Sequence, residues 1–538
     1  MRRRSLSLAT LAVLLLLCLP TLAQAAVTDW PTYHHDNFRG GSDPYSATFT
    51  GPLNPRWTSV ALGGRIYAEP LLVGNVLIVA DLSDTITALD AGTGAMVWQR
   101  NVGTPVTIPS SGFGCGNVSP DGIIGTPVVD PVAGIVYAVA LEQPANYYLV
   151  GLDLQTGTPR FPQVGIAPTG FDPHLQQQRG ALTLANGTVY VPFGGFIGDC
   201  GNYHGWVVGV PATGSGTQVF FNDNNGHGRA AGFWASGGGS ADASGNLYYT
   251  SGNGFNTTTF DNGETIFKLS PTLALVDWWA PAEWSWMNSN DTDLGSIGPG
   301  IVGAANDLVF QTGKSGWGYV VSTNLSASGT VHFGGELFSG KVCNAATTAT
   351  TAHDQVFGGL AYRDPYIYVP CPEGIKALQL AAGPSFSIAW SSSSFHAGPP
   401  IVAGGVVWAM DTTNGSLFGL SATTGATLFH VANIGQMTRF TTPTAGQGRI
   451  YVPFGSQVMA FDQPRVERGV PIPPLSGTTR SGAPPPIPQS AGGGRPLFLW
   501  QHLSRPLMGK GQDAGFYETI PSTWGWLSKL LAILMLVV

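Results

Sequence analysis

The chain has 538 residues, of which 10% are charged and 43% are hydrophobic, with 74 glycines and 40 prolines. This composition is too apolar for a disordered protein and too rich in helix breakers for a helical bundle, so many short strands joined by tight turns are expected. The net charge of −7 argues against nucleic acid as the main partner, because no basic excess is present to displace phosphate counterions.

The first 25 residues are typical of a secretory signal peptide, because three arginines precede an apolar stretch that ends in small residues. We therefore expect the mature chain to be exported to the periplasm, the cell exterior or the cell envelope. Export leaves four cysteines in a compartment that permits disulfides, and four cysteines allow three pairings that the sequence does not distinguish. We favour Cys115 with Cys200 and Cys343 with Cys371, because each pair lies in loops of nearby repeats.

A recurring pattern of strands occupies residues 26–464. Each unit has a hairpin, an alternating third strand, a glycine-containing turn and a fourth strand ending in an aromatic residue or histidine, as in TITALDAGTGAMVWQR (85–100). Their period of about 40 to 60 residues predicts an all-β fold, an eight-bladed β-propeller of four-stranded antiparallel blades. The eight units begin near Pro70, Pro127, Ala181, Gly239, Pro299, Leu360, Pro400 and Pro443.

The last unit lacks its fourth strand, and the stretch NPRWTSVAL (54–62) can supply it. Strands from both ends of the propeller are therefore expected to share one blade, which removes an open sheet edge. Residues 465–497 are rich in proline and glycine and are predicted to form a semi-extended linker. Residues 498–538 end in an apolar run shorter than the roughly 20 residues that span a bilayer, so weak membrane contact is expected there.

Two stretches resemble a known family. The stretch ALDAGTGAMVW (88–98) resembles the tryptophan-docking repeat of the pyrroloquinoline quinone (PQQ) propellers, in which these residues lock neighbouring blades together. The stretch DWPTYHHDNFRGG (29–41) is similar to the N-terminal lead-in of PQQ-like repeat proteins. The superfamily contains quinoprotein alcohol dehydrogenases and also scaffold proteins without a cofactor, such as the outer-membrane assembly factor BamB. The function must therefore be argued from the site.

In the dehydrogenases, PQQ lies on the propeller axis with a calcium or lanthanide ion, which a glutamate and an asparagine bind. The resemblance matches Glu142 and Asn253 to these metal ligands, and Trp234 to the aromatic plate beneath the cofactor. Oxygen ligands suit a hard cation, and the cation polarises the quinone carbonyl. The structural alternatives are an ion pair for Glu142, a turn residue for Asn253 and a packing residue for Trp234.

Further along, NSNDTDLGS (288–296) resembles the family segment that carries the catalytic base, a role for Asp293 or Asp291 between which the spacing does not decide. The stretch QTGKSGWGYVV (311–321) resembles the segment whose lysine contacts the quinone oxygens, here Lys314. Arg179 is expected to reach the axial channel, because the equivalent position of a blade faces inward, with a salt bridge as its alternative. These residues lie in successive repeats, so their loops can converge on the axis.

The chain departs from the dehydrogenases in having neither adjacent cysteines nor a Cys-x-x-Cys-His haem motif. Two hypotheses follow. The first is an exported oxidoreductase that uses PQQ and Ca²⁺ to oxidise a small-molecule alcohol or sugar and passes electrons to an external acceptor. The second is a non-catalytic propeller that acts as a binding or assembly scaffold for envelope proteins. The missing cysteines favour the scaffold, and the ordered series of site residues favours the enzyme.

Overall fold

The computed structural model describes residues 29–109, 112–326 and 332–463. The predicted signal peptide, linker and C-terminal tail lie outside these residues. Within the described part, no helix has both the length and the apolar character needed to cross a membrane.

The described chain folds into eight sheets, each of which holds one blade of four antiparallel strands, and the first of these four lies nearest the axis. A two-residue strand is added to the sheet of blade 3 and another, in parallel, to the sheet of blade 7. Two strands come before the first blade: β1 (Ser42–Asp43) and β2 (Asn54–Thr58). Blades 1 and 2 contain β3 (Leu71–Val73), β4 (Val76–Asp81), β5 (Thr85–Asp90), β6 (Met96–Asn101), β7 (Val128–Asp130), β8 (Ile135–Glu142), β9 (Asn146–Asp153) and β10 (Val164–Ile166). Blades 3 and 4 contain β11 (Gln176–Gln177), β12 (Thr183–Ala185), β13 (Thr188–Gly195), β14 (Trp206–Pro211), β15 (Val219–Asn222), β16 (Ser240–Ala241), β17 (Leu247–Thr250), β18 (Ile266–Leu269) and β19 (Leu275–Trp279).

A short helix α1 (Trp284–Ser289) and a 3₁₀ turn (Leu294–Ser296) connect blades 4 and 5. Blades 5 and 6 contain β20 (Gly300–Val302), β21 (Leu308–Gln311), β22 (Trp317–Ser322), β23 (Phe338–Lys341), β24 (Ala361–Arg363), β25 (Tyr366–Cys371), β26 (Gly374–Leu380) and β27 (Phe386–Ser391). Blades 7 and 8 contain β28 (Ile401–Ala403), β29 (Val406–Asp411), β30 (Ser416–Ser421), β31 (Thr427–Val431), β32 (Thr444–Gly446), β33 (Arg449–Phe454) and β34 (Gln457–Asp462).

The ring closes as predicted. Each innermost strand contacts the next one around the ring, and β32 of blade 8 contacts β3 of blade 1. Strand β2 pairs antiparallel with β34 and supplies the fourth strand of blade 8. Closure satisfies the backbone groups of a sheet edge that would otherwise be free to pair with another chain. The prediction of an eight-bladed propeller, with strands from both ends in one blade, is confirmed.

At four junctions between neighbouring blades, an aromatic side chain packs on a glycine turn of the next blade. Trp98 at the end of blade 1 donates its indole N–H to the carbonyl of Leu154 in blade 2, at 3.0 Å. Its ring covers Gly157, whose φ of +66° and lack of space exclude a larger residue. Trp57 on Gly94 and Trp390 on Gly425 repeat this contact, while Phe161 on Gly214 uses a phenyl ring. These contacts explain the repeated aromatic residue and Thr-Gly turn.

The lead-in segment, residues 30–41, runs along the innermost strands and passes the blades in chain order. Its backbone carbonyls accept hydrogen bonds from the innermost strands of six blades, through the N–H groups of Leu72, Val129, Ala241, Ile301, Tyr362 and Val402. Its Thr32 hydroxyl and Asn37 amide reach blade 3 at the carbonyls of Leu182 and Leu184. The segment therefore satisfies inward-facing backbone groups that no neighbouring strand can pair.

His34 of this segment predicts a pH dependence of stability. Its ring is fully buried, with Nδ1 2.7 Å from the carbonyl of Leu360, and burial lowers its pKa to about 3. Because the unfolded chain binds a proton near pH 6.5 and the folded chain does not, stability falls as the pH drops below 6.5. We expect His34→Asn, which tolerates the φ of +53°, to remove about 1–2 kcal/mol of the loss between pH 6.5 and 5 in urea titrations. The exposed His227→Asn is the control and should leave that loss unchanged.

Both predicted disulfides are confirmed. Cys115, in the loop before blade 2, is bonded to Cys200 in blade 3, and Cys343 after blade 5 is bonded to Cys371 in blade 6. They close loops of 85 and 28 residues and tie neighbouring blades together. Disulfides persist in oxidising compartments, so this pairing agrees with an exported protein.

Candidate axial site

The loops at one end of blades 4 and 5 carry most of the residues matched from the family resemblance. Trp234 and Asp293 precede the innermost strands β16 and β20, whereas Asn253 and Lys314 follow the second strands β17 and β21. Because the first two strands of a blade are antiparallel, the start of one and the end of the other lie at the same end of the propeller. Successive blades therefore bring these four residues together.

Asp293 is the centre of this cluster. Its Oδ1 accepts hydrogen bonds from the backbone N–H of Asn253 at 2.6 Å and from Trp234 Nε1 at 3.4 Å. Its Oδ2 forms an ion pair with Lys314 Nζ. A side chain at Gly252 would collide with Asp293 and lie 2.6 Å from Trp234 Nε1, which explains a glycine here. Of the two candidate bases, Asp293 is buried in the cluster, and Asp291 has an exposed side chain.

Lys314 holds the two aspartates together and lies over the tryptophan. Its Nζ is 3.1 Å from Asp291 Oδ1 and 5.6 Å from the centre of the Trp234 ring, within the range of a cation–π contact. Burial lowers the pKa of the ammonium group, but the charges of Asp293 and Asp291 outweigh this effect and raise that pKa above its usual value. Lys314 is therefore a permanent positive charge within the site.

Two further carboxylates, which the sequence analysis missed, act on this cluster. Glu264 is fully buried, its Oε2 accepts the Leu294 N–H at 2.5 Å, and its Oε1 has no hydrogen-bond partner among the described residues. Burial and the charge of Asp293 raise its pKa well above the usual value. Asp199, beside Cys200, accepts the Tyr203 hydroxyl at 2.6 Å, and burial and the charge of Asp293 also raise its pKa.

Glu142 does not join this cluster. It ends β8 in blade 2, where its carboxylate accepts a hydrogen bond from Gln163 at 2.9 Å and packs against Gly103. The carboxylate in the corresponding loop of blade 3, next to blade 4, is Asp199. Glu142 therefore lies one blade before Asp199, away from the loops of blades 4 and 5.

Arg179 precedes β12, the innermost strand of blade 3. Its guanidinium lies 4.6 Å from the centre of the Phe440 ring, and its buried Nε has no hydrogen-bond partner among the described residues. It lines a narrow cavity with Phe440, Tyr33, Tyr67, Ile124, Thr126 and Ser236, which come from five blades and the lead-in segment. Phe357 lies between the rings of Phe440 and Trp234, at 6.3 Å from each, and so connects this cavity to the cluster.

Three solved structures with similar folds are dehydrogenases. The first is the quinohemoprotein alcohol dehydrogenase ADHIIG of Pseudomonas putida HK5, with 17% identity and a TM-score of 0.59; the match covers 86% of this chain and 82% of that chain. The second is the quinohemoprotein alcohol dehydrogenase of Comamonas testosteroni, with 17% identity and a TM-score of 0.58; the match covers 82% of this chain and 81% of that chain. A europium-containing methanol dehydrogenase has 15% identity and a TM-score of 0.57 over 80% and 90%. Residues 50–218 match the family model described as outer membrane protein assembly factor BamB. The chain is thus similar to PQQ-like β-propeller proteins, with which it shares the fold. No curated protein sequence matches this chain.

The axial cluster of this propeller fits a hard divalent cation by the chemistry of its donor set. Four carboxylates, those of Asp199, Glu264, Asp291 and Asp293, interact electrostatically with the ammonium group of Lys314, and Asn253 adds a side-chain amide. Carboxylate and amide oxygens are ligands that Ca²⁺ prefers. The orphaned Glu264 Oε1 is a buried acceptor that a cation would satisfy.

The described residues hold one place where three His, Cys, Asp or Glu side chains bring ligand atoms within 4.8 Å of one another. It consists of Cys343, Cys371 and Glu373, and both sulfurs are in a disulfide. A disulfide sulfur is not a thiolate and does not hold a metal ion as one. The axial carboxylates stand farther apart than this, so a cation would have to draw them together or share them with water.

Proposed function

We propose that this PQQ-like propeller is an exported quinoprotein-type oxidoreductase that oxidises an alcohol or a sugar with PQQ and Ca²⁺ bound at the axial cluster. The observation that supports it is the convergence of Asp293, Lys314 and Trp234 from separate loops of blades 4 and 5. A buried base, a cation and an indole plate in contact are the side chains that this chemistry uses. Electrons would leave to an external acceptor, because the sequence has no haem motif.

Each residue of the cluster has a role in this proposal. Asn253, Glu264 and Asp199 would hold Ca²⁺ through oxygen atoms, and the Trp234 ring would support the flat cofactor. Lys314 would direct its ammonium group toward the quinone oxygens. Bound PQQ supplies a two-electron acceptor. Asp293 would accept the hydroxyl proton of the substrate as the carbon-bound hydrogen leaves with its electron pair.

Reconstitution tests the proposal. We expect purified protein incubated with PQQ and Ca²⁺ to retain the quinone absorbance through gel filtration, and to reduce an artificial electron-acceptor dye with some members of a panel of alcohols and sugars. Binding should be lost with EDTA and should weaken by about tenfold or more in Lys314→Met, which removes the ammonium group. Failure of the wild-type protein to retain PQQ at micromolar concentration contradicts the proposal.

A second candidate is a non-catalytic scaffold at the cell envelope. One observation favours it: Asp293 is already satisfied by Lys314, Asn253 and Trp234, so the cluster is balanced without a cofactor at that residue. In that case the partner is an envelope protein, and the axial residues act only in packing. A protein that binds no PQQ yet co-purifies with one envelope protein at fixed stoichiometry favours this function.

A further inference from the structure

A second acidic cluster lies between blades 1 and 2. Three loops contribute to it: Asp84 lies between β4 and β5, Asp121 precedes β7, and Glu142 ends β8. One segment, residues 102–106, contacts all three. The Val102 N–H donates to the Asp84 carbonyl at 2.8 Å, and the next residues form β-bridges with Glu142 and Asp121. The shared segment therefore fixes three acidic residues side by side at the same end of the propeller as the axial cluster.

Asp84 and Asp121 are both buried, but Asp121 accepts a hydrogen bond from Gln177, whereas Asp84 does not have such a partner among the described residues. The Asp84 side chain is 0% exposed, and neither of its carboxylate oxygens has a hydrogen-bond partner among the described residues. The Leu82 carbonyl lies beside it, because a side chain at Gly122 would be 2.5 Å from Asp84 Oδ1 and 2.6 Å from that carbonyl oxygen. Burial raises the pKa of Asp84 to about 8, and the charges of Glu142, Asp121 and Asp81 add to this effect. A buried carboxylate without a partner is costly unless it is neutralised.

Unlike the axial cluster, this acidic cluster has no lysine in the corresponding loop. The loop that holds Lys314 in blade 5 corresponds to the loop after β8 in blade 2, which begins with Glu142 and reads EQPAN, without a lysine. A cation that acts on this cluster is Arg179, whose charge lowers the pKa of Asp121. Blades 1 and 2 thus repeat the arrangement of blades 4 and 5 with an acid in place of the ammonium group.

We propose that the Asp84 carboxylate and the Leu82 carbonyl bind a Ca²⁺ ion. Asp84 and the carbonyl are direct ligands, and Asp121 and Glu142 contribute negative charge through bound water. Ca²⁺ accepts carboxylate, carbonyl and water oxygens in variable geometry, whereas Mg²⁺ demands a stricter octahedron. This site is separate from the axial cluster and does not depend on PQQ binding.

The test compares Asp84→Asn with the wild-type protein at pH 8, without PQQ, after EDTA treatment. Asparagine keeps the shape and tolerates the φ of +53° but removes the charge. We expect Ca²⁺ at about a hundred times Kd to raise the Tm of the wild-type protein by about 2 °C or more. Equilibrium dialysis should show that Asp84→Asn binds one Ca²⁺ ion fewer than the wild-type protein. Glu142→Gln, at the rim, should weaken this Ca²⁺ by about tenfold and serves if Asp84→Asn does not fold.

Asp130→Asn is the matched control, because Asp130 caps a turn in blade 2 outside both clusters. It should keep the full Ca²⁺ response, whatever its own Tm. The proposal is overturned if the wild-type protein and Asp84→Asn bind the same number of Ca²⁺ ions and show the same Ca²⁺-induced change in Tm, whether that change is an increase or zero. In that case Asp84 is a protonated acid.

Discussion

Replacing Asp293 by asparagine is expected to lower the dye-linked oxidation rate of the PQQ-loaded and Ca²⁺-loaded protein by a factor of about 10² to 10⁴. The amide oxygen can still accept the hydrogen bonds from the Asn253 N–H and Trp234 Nε1, so the cluster keeps its outline. The amide group cannot accept the substrate proton. The loss should appear in kcat with a much smaller change in PQQ affinity, because cofactor binding rests mainly on Trp234 and Lys314.

Stability and a control variant separate a loss of chemistry from a loss of structure. Asp293→Asn leaves Lys314 with Asp291 as its remaining partner, so we expect a decrease of about 1–3 kcal/mol in the free energy of unfolding. Asp307→Asn, at an exposed turn of the same blade, should change neither the rate nor the stability. Equal rates in Asp293→Asn and the wild-type protein would exclude Asp293 as the base.

The fold could be predicted because it is a repeat whose every unit carries its own signals. Inner strands such as β4 are wholly buried, and outer strands such as β6 bury little beyond Trp98. Where an aromatic ring of the preceding blade packs on a blade, a glycine with positive φ follows the third strand of that blade. These local rules recur around the ring and reinforce each other. The lead-in segment could be recognised by resemblance, but its course along seven blades depends on backbone geometry that no local pattern encodes.

The candidate site could be predicted only in part. Asn253, Asp293 and Lys314 lie on adjacent blades, so their order along the chain corresponds to their order in space. Glu142 was matched by resemblance, and it lies in blade 2, apart from the loops of blades 4 and 5 that carry the other three. Glu264 was missed because a buried carboxylate among small polar residues resembles a turn residue in sequence, and only its environment shows that one oxygen lacks a partner.

Replacing Trp98 by alanine is expected to lower the free energy of unfolding by about 3–5 kcal/mol. The substitution removes a buried indole that covers Gly157 and donates to the Leu154 carbonyl. Gly157 has no side chain to fill the gap, and its φ of +66° is one that larger residues rarely adopt. The contact joins blades 1 and 2, so its loss weakens the ring. Urea denaturation followed by circular dichroism measures the effect.

Trp98→Phe is the matched control, because Phe161 makes the same contact with Gly214 one blade further on. Phenylalanine keeps most of the buried surface and loses the indole hydrogen bond, so we expect a cost of about 1 kcal/mol. A much smaller loss of unfolding free energy in Trp98→Phe than in Trp98→Ala would show that packing against glycine, rather than the hydrogen bond, holds adjacent blades together. If Trp98→Phe were as unstable as Trp98→Ala, the hydrogen bond would be the main contribution and this view would be wrong. The contact between blades 2 and 3 supports packing, because Phe161 has no hydrogen-bond donor.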